Sequence, residues 1–188
     1  MELLKRTVNI FISPSKFFDE IKNTRITDDV YFVLFIHIVI GIIITSILSL
    51  KIYSDFGSAV KLIAVVLFPI LGLAIYWFIM FNLATWVMKV KSRFVVTSKI
   101  ILYSTIPATI GRGLILISQS HLFRETQPII LILALFLFIL GFISLFFIFV
   151  TLFKGFRVLY GLQAREIMGL MIVTIVPGII LNIIAKII

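Results

Sequence analysis

The chain has 188 residues, of which 62% are hydrophobic and 13% charged, about half the charged share of a typical soluble domain, so water is excluded as the solvent for most of its surface. The formal charge of +9 would suggest nucleic-acid binding in a soluble protein. Here the cations fall in short segments between apolar runs, where anionic lipid headgroups lie within reach, and no nucleic-acid partner is expected. The absence of cysteine excludes disulfides, thiolate nucleophiles and thiolate metal sites.

Residues 1–29 read as a cytoplasmic, interfacial segment. Leu4, Val8 and Phe11 share one helical face, and Phe17, Phe18 and Ile21 form a second apolar cluster. Ser13-Pro14 between them reads as a helix start, with Ser as N-cap and Pro at the first helical position. Two short helices are predicted, lying either on the inner membrane surface or against the membrane-spanning bundle. The apolar stretch Val8 to Ile12 is too short for a secretory signal, so no cleavage is expected.

Residues 30–188 read as an all-α, polytopic membrane bundle of about five transmembrane helices, spanning about 30–50, 62–88, 97–119, 126–153 and 167–185. The second exceeds the ~20 residues a helix needs, which predicts tilt or a kink near Pro69. Lys99 and Arg112 make the third the most interrupted, whereas the fourth is almost wholly Leu, Ile and Phe. In the fifth, Pro177-Gly178 can kink the helix.

Lys and Arg are retained preferentially on the cytoplasmic side. With the N-terminus inside, the inner segments carry Lys5, Arg6, Lys16, Lys22, Arg25, Lys89, Lys91, Arg93, Lys99, Lys154, Arg157 and Arg165, against Lys51, Lys61, Arg124 and Lys186 outside. This bias predicts a cytoplasmic N-terminus and an outside C-terminus, with an odd number of spans. A four-span arrangement, in which the segment around Arg112 is re-entrant, is the structural rival.

The catalytic inventory is sparse. Intramembrane hydrolysis calls for an Asp dyad, a Ser with a general base or an H-E-x-x-H metal cluster, and none is present. The acids Glu2, Asp19, Glu20, Asp28, Asp29, Asp55, Glu125 and Glu166 all read as terminal or loop residues, which also argues against a carboxylate-driven transporter. His37 and His121 fall on opposite sides of the predicted bilayer, and no Gly-rich phosphate loop occurs. No enzymatic activity, cofactor or metal is expected.

Arg112 is the one formal charge well inside an apolar segment. At roughly 10 Å from the outer end of its helix, it can snorkel to the headgroups, make a structural hydrogen bond or hold a phosphate. Counted from the cytoplasmic ends, His37, Asn82, Tyr103, Ser104 and Thr174 share one layer at a depth of roughly 8 to 11 Å. Such a layer serves either as interhelical glue or as the lining of a small cavity open to the cytoplasm.

Three local patterns carry a family resemblance. They are Ser13-Pro14-Ser15-Lys16-Phe17-Phe18 before the first span, Tyr103-Ser104-Thr105-Ile106-Pro107 early in the third, and Leu159-Tyr160-Gly161-Leu162 before the fifth. In their order and spacing they resemble the Yip family, membrane proteins named for interaction with Ypt and Rab GTPases. The Asp-Leu-Tyr-Gly-Pro element of eukaryotic members is not found, and the pattern is more similar to the short prokaryotic-type branch. The resemblance implies a non-enzymatic protein of membrane organisation or trafficking, acting through lipid and protein partners or as a homo-oligomer, here in a prokaryotic cell membrane. It marks Pro14, Phe17, Phe18, Tyr103, Ser104, Pro107 and Gly161 as motif residues. Pro107 removes one backbone donor and is expected to kink the third helix. The alternative reading is a small permease, channel or lipid-translocating protein working through Arg112 and the polar layer of His37, Asn82 and Thr174.

Overall fold

A computed structural model of the chain describes residues 2–49, 71, 72, 74–86, 93–119 and 128–187. The elements among them are α1 (Glu2–Ile12), α2 (Pro14–Ile21), α3 (Ile26–Ser49), α4 (Ala74–Trp86), α5 (Phe94–Ser118), α6 (Pro128–Gly155) and α7 (Ala164–Ile187). A five-residue π-helical turn, π1 (Phe156–Tyr160), extends α6 without a break. All are helical because a backbone in hydrocarbon must satisfy its own polar groups.

The predicted spans at 30–50, 97–119, 126–153 and 167–185 fall on α3, α5, α6 and α7. The second, 62–88, is described as helix over Ala74–Trp86, and the expected kink at Pro69 lies outside the described residues. One expectation is corrected at the start of α3. Asp28 and Asp29 are not loop residues but occupy its first turn, where negative charge complements the positive end of the helix dipole, and Glu166 likewise lies in the first turn of α7.

Among the described residues, three helices are long and apolar enough to cross a membrane: Ile26–Ile44, Phe94–Ser118 and Pro128–Tyr160. α5 is continuous through Pro107 and Arg112. Its 25 residues reach about 37 Å at the α-helical rise, beyond the ~30 Å hydrocarbon layer, whereas a re-entrant segment would have to reverse near Arg112.

Burial ranks the helices. In α5, 67% of the apolar window is buried, against 11% in the stretch from Pro128 to Tyr160, so α5 is the axis of the bundle and α6 turns most of its Leu, Ile and Phe outward. Oil-like surroundings provide no hydrophobic drive between helices, and close approach at small residues takes its place. The backbones of α5 and α6 meet at Gly111 and Gly141, where a Cβ on Gly111 would stand 2.7 Å from the Gly141 carbonyl oxygen. On the other side of α5, Gly113 leaves room for the Ile44 side chain of α3.

The sequence left open whether the N-terminal helices rest on lipid or on protein. Ile10, Phe17, Phe18 and Ile21 are fully buried or nearly so, and Phe18 fills the space above Gly155 together with Ile100. Phe11 meets Phe147 of α6 edge to face, with ring centroids 5.3 Å apart. One face of the α1–α2 unit is therefore packed on the bundle, each buried Phe contributing about 1.5–3 kcal/mol. Val8 and Ile12 remain exposed on α1.

Candidate functional site at the N-terminal face

Where α1, α2, α3 and α5 meet, one carboxylate organises the junction. Asp29 is completely buried. Its Oδ1 accepts from the Arg6 guanidinium at 2.9 Å and from the Tyr103 hydroxyl at 2.6 Å. Its Oδ2 lies 3.2 Å from the Lys99 ammonium and accepts from the Thr24 hydroxyl at 2.8 Å. A carboxylate offers about four acceptor positions, and these contacts occupy them.

Each partner is itself held. Arg6 also donates to the Tyr103 hydroxyl at 2.8 Å and lies over the Phe32 ring, 4.6 Å from its centroid. Lys99, only 3% exposed, donates to the carbonyls of Ile21 at 2.9 Å and Thr24 at 2.5 Å. These carbonyls lie at the C-terminal end of α2 and in the turn after it, where a cation complements the negative end of the helix dipole. The cluster thus joins the first helix, the turn after the second, the start of the third and the N-terminal third of α5. Its carboxylate is saturated by donors, which suits it to hold segments together rather than to exchange a proton with a substrate.

The family-pattern residues converge on the same junction. α2 begins at Pro14 as predicted, but Ser13, although at the N-cap position, makes no side-chain cap bond. Phe17 packs edge to face on Tyr103 with centroids 4.7 Å apart, and Phe18 does so at 6.5 Å. Phe32 completes the aromatic wall at 6.0 Å from Tyr103. The first two sequence patterns are therefore two halves of one contact. The third closes a neighbouring one: the Tyr160 hydroxyl accepts from the Arg93 backbone N–H at 3.0 Å and shares a hydrogen bond with Thr97 at 2.5 Å, tying π1 to the start of α5. Gly161 follows with φ +68° and open space around a notional Cβ, so the left-handed turn, not crowding, calls for glycine there.

The remaining candidates are distributed along the helices. Ser104 donates to the Ile101 carbonyl, Asn82 to Phe78, Thr174 to Leu170 and His37, through Nδ1, to Val33, each within its own helix. Across helices, His37 also meets the Thr105 backbone of α5, and other groups add further bonds. Tyr76 of α4 donates to the Thr174 carbonyl at 2.8 Å, and Ser144 of α6 donates to the Pro107 carbonyl at 2.9 Å. Arg112 is half-buried on α5 between the two close-packing glycines. Among the described residues, Tyr103 joins the Asp29 cluster, while His37, Asn82, Ser104 and Thr174 line none of the cavities described below.

The sequence reading missed Asp29, Arg6 and Lys99 as a unit. The signals were present separately. Asp29 ends a charge-free run, where an ionisable group invites a search for its partner. Lys99 and Tyr103 are four residues apart and so share a helical face.

Comparison with known families matches the Yip1 domain over residues 8–185, nearly the whole chain and inclusive of all three patterns. Comparisons with curated proteins and with solved structures found no match. The apolar helices and the extent of that match make this a multi-pass membrane protein, and the chain belongs to the Yip1 domain family.

Proposed function

We propose that the protein is a non-enzymatic membrane-organising scaffold of five spans, with its N-terminal face in the cytoplasm and its C-terminus outside. The observation that carries this reading is the α1–α2 unit. It is fastened to the bundle by the Asp29 cluster and the Phe17–Tyr103 contact, and so presents a fixed outer surface. That surface combines exposed Lys5, Lys16 and Arg25 with exposed Val8 and Ile12, the pairing of cations and apolar groups by which a helix rests on anionic lipid. A platform held rigidly at headgroup level suits recruitment of a protein partner or a second copy of the chain. The twelve-to-four bias of Lys and Arg described above supports the orientation.

The test is crosslinking in native membranes followed by purification in mild detergent, with an unrelated five-span protein as control and a solute-flux assay on reconstituted vesicles. A stoichiometric partner or self-association, lost in a Lys5→Glu/Lys16→Glu variant and weakened by raised ionic strength, is the expected result. Solute flux with no association sensitive to that variant would replace the scaffold with a permease or channel.

A further inference from the structure

A cleft of about 300 Å³ opens beside the Asp29 cluster, between the turn after α2, the start of α5 and π1. Its polar wall holds Lys22, Asn23, Arg93 and Lys99 and, among the described residues, includes no carboxylate; Val95 and Leu159 are among its apolar lining. Lys22 and Arg93 are exposed. Lys99 is committed to Asp29, but that carboxylate also serves Arg6, so two cations share one anion and the local balance stays positive. The neighbouring cleft of about 440 Å³ has Lys5 and Arg6 but also Glu20 in its wall, which disfavours an anion there.

A second cavity, of about 220 Å³, runs between α4 and α5 and is lined by Ala74, Ile75, Phe78, Ser98, Ile101 and Leu102. It is almost wholly apolar. Val95, on the cationic cleft, and Ser98 and Leu102, on the groove, are spaced by three and four residues and form one stripe along α5. The stripe descends about 10 Å from headgroup level into the hydrocarbon. A free anion would use the first cavity only, whereas a molecule with a charged head and an apolar tail uses both.

We propose that the cleft and groove form one binding site for a single anionic phospholipid, its phosphate held by the Lys22 and Arg93 side chains and one acyl chain lying along Val95, Ser98 and Leu102. The site does not depend on the scaffold reading, since it uses neither Lys5 nor Lys16. The phosphate chemistry is shared with soluble phosphate esters, and the groove selects the lipid.

Native mass spectrometry of the full chain in mild detergent tests this, with dioleoyl phosphatidic acid as probe, dioleoyl phosphatidylcholine as comparison and glycerol 3-phosphate as competitor. The expected result is one phosphatidic acid retained per chain, with apparent affinity falling about tenfold or more in Lys22→Gln/Arg93→Gln, since the loss of one charge-assisted contact is already worth about that factor. The charge-matched control Arg157→Gln/Arg165→Gln, which removes the same two charges at exposed residues outside the cleft lining, should keep the complex. Ser98→Phe, which fills the groove, should weaken the long-chain lipid and leave a short-chain analogue unchanged. Both cleft substitutions are at exposed side chains, and an unchanged melting temperature distinguishes lost binding from lost fold. Retention of the lipid by the double variant, equal binding of phosphatidylcholine, or displacement by glycerol 3-phosphate at concentrations comparable to the lipid would each overturn the proposal.

Discussion

Asp29 carries more of the architecture than any other single side chain described, because its removal strands two cations at once. Replacing it with Asn keeps the shape and some hydrogen bonding but leaves Arg6 and Lys99 without their counter-charge. The expected cost is about 3–5 kcal/mol, read as a large fall in the unfolding midpoint in detergent. Tyr103→Phe, which removes one donor to Asp29 and one acceptor for Arg6, should cost about 1–2 kcal/mol. If the cost of Asp29→Asn arises from stranded charge, a triple replacement of Asp29→Leu with Arg6→Met and Lys99→Met should recover most of the loss; equal instability of the triple variant would count against that explanation. This site was only partly legible. The aromatic members stood out as patterns, whereas pairing across 23 residues to Arg6 and 70 to Lys99 leaves no trace in spacing. An acid at the edge of an apolar run looks the same whether it faces water or a buried guanidinium.

At the level of helices, legibility followed from the solvent. A segment in hydrocarbon must be mostly apolar and helical throughout, so long apolar runs, interrupted only in α5 by Lys99 and Arg112, revealed α3, α5, α6 and α7 to within a few residues at either end. The π-helical turn had no such signature, because Phe156–Tyr160 differs from the preceding helix in hydrogen-bond pattern and not in composition. Nor did the glycines announce which of them mattered. Gly111 and Gly141 face each other's carbonyls, whereas a Cβ on Gly41 or Gly72 would meet nothing within 4 Å. Gly111→Ala and Gly141→Ala should each force α5 and α6 apart and cost about 1–3 kcal/mol. The double variant should cost less than the sum, since one displacement relieves both clashes. Gly41→Ala should be neutral or slightly stabilising, so equal losses at Gly41 and Gly141 would disprove the close-approach argument. Gly161→Ala should cost about 1 kcal/mol through its left-handed backbone, with no change in helix packing.

At the scale of the whole molecule, the proposed scaffold rests on the sidedness of the chain, and the absence of cysteine makes that sidedness directly measurable. Single cysteines introduced as Asp19→Cys, Ser92→Cys and Gln163→Cys should be reached by a membrane-impermeant maleimide only from the cytoplasmic side, and Ser54→Cys, His121→Cys and Lys186→Cys only from the opposite side. The physical reason is the cost of moving Lys and Arg across hydrocarbon during insertion, about 2.5–3.5 kcal/mol per residue at mid-bilayer, which outweighs the short outer segments with their few cations. Ser92 and His121 bracket α5, an uninterrupted helix about 37 Å long, so labelling from opposite sides would show that it crosses. Labelling of both from one side would require the chain to reverse within α5 and would leave four spans. In that case Lys186 should label with Asp19, and the α1–α2 platform would share its side of the membrane with the C-terminus, removing the basis for a scaffold whose working surface lies wholly on the cytoplasmic face.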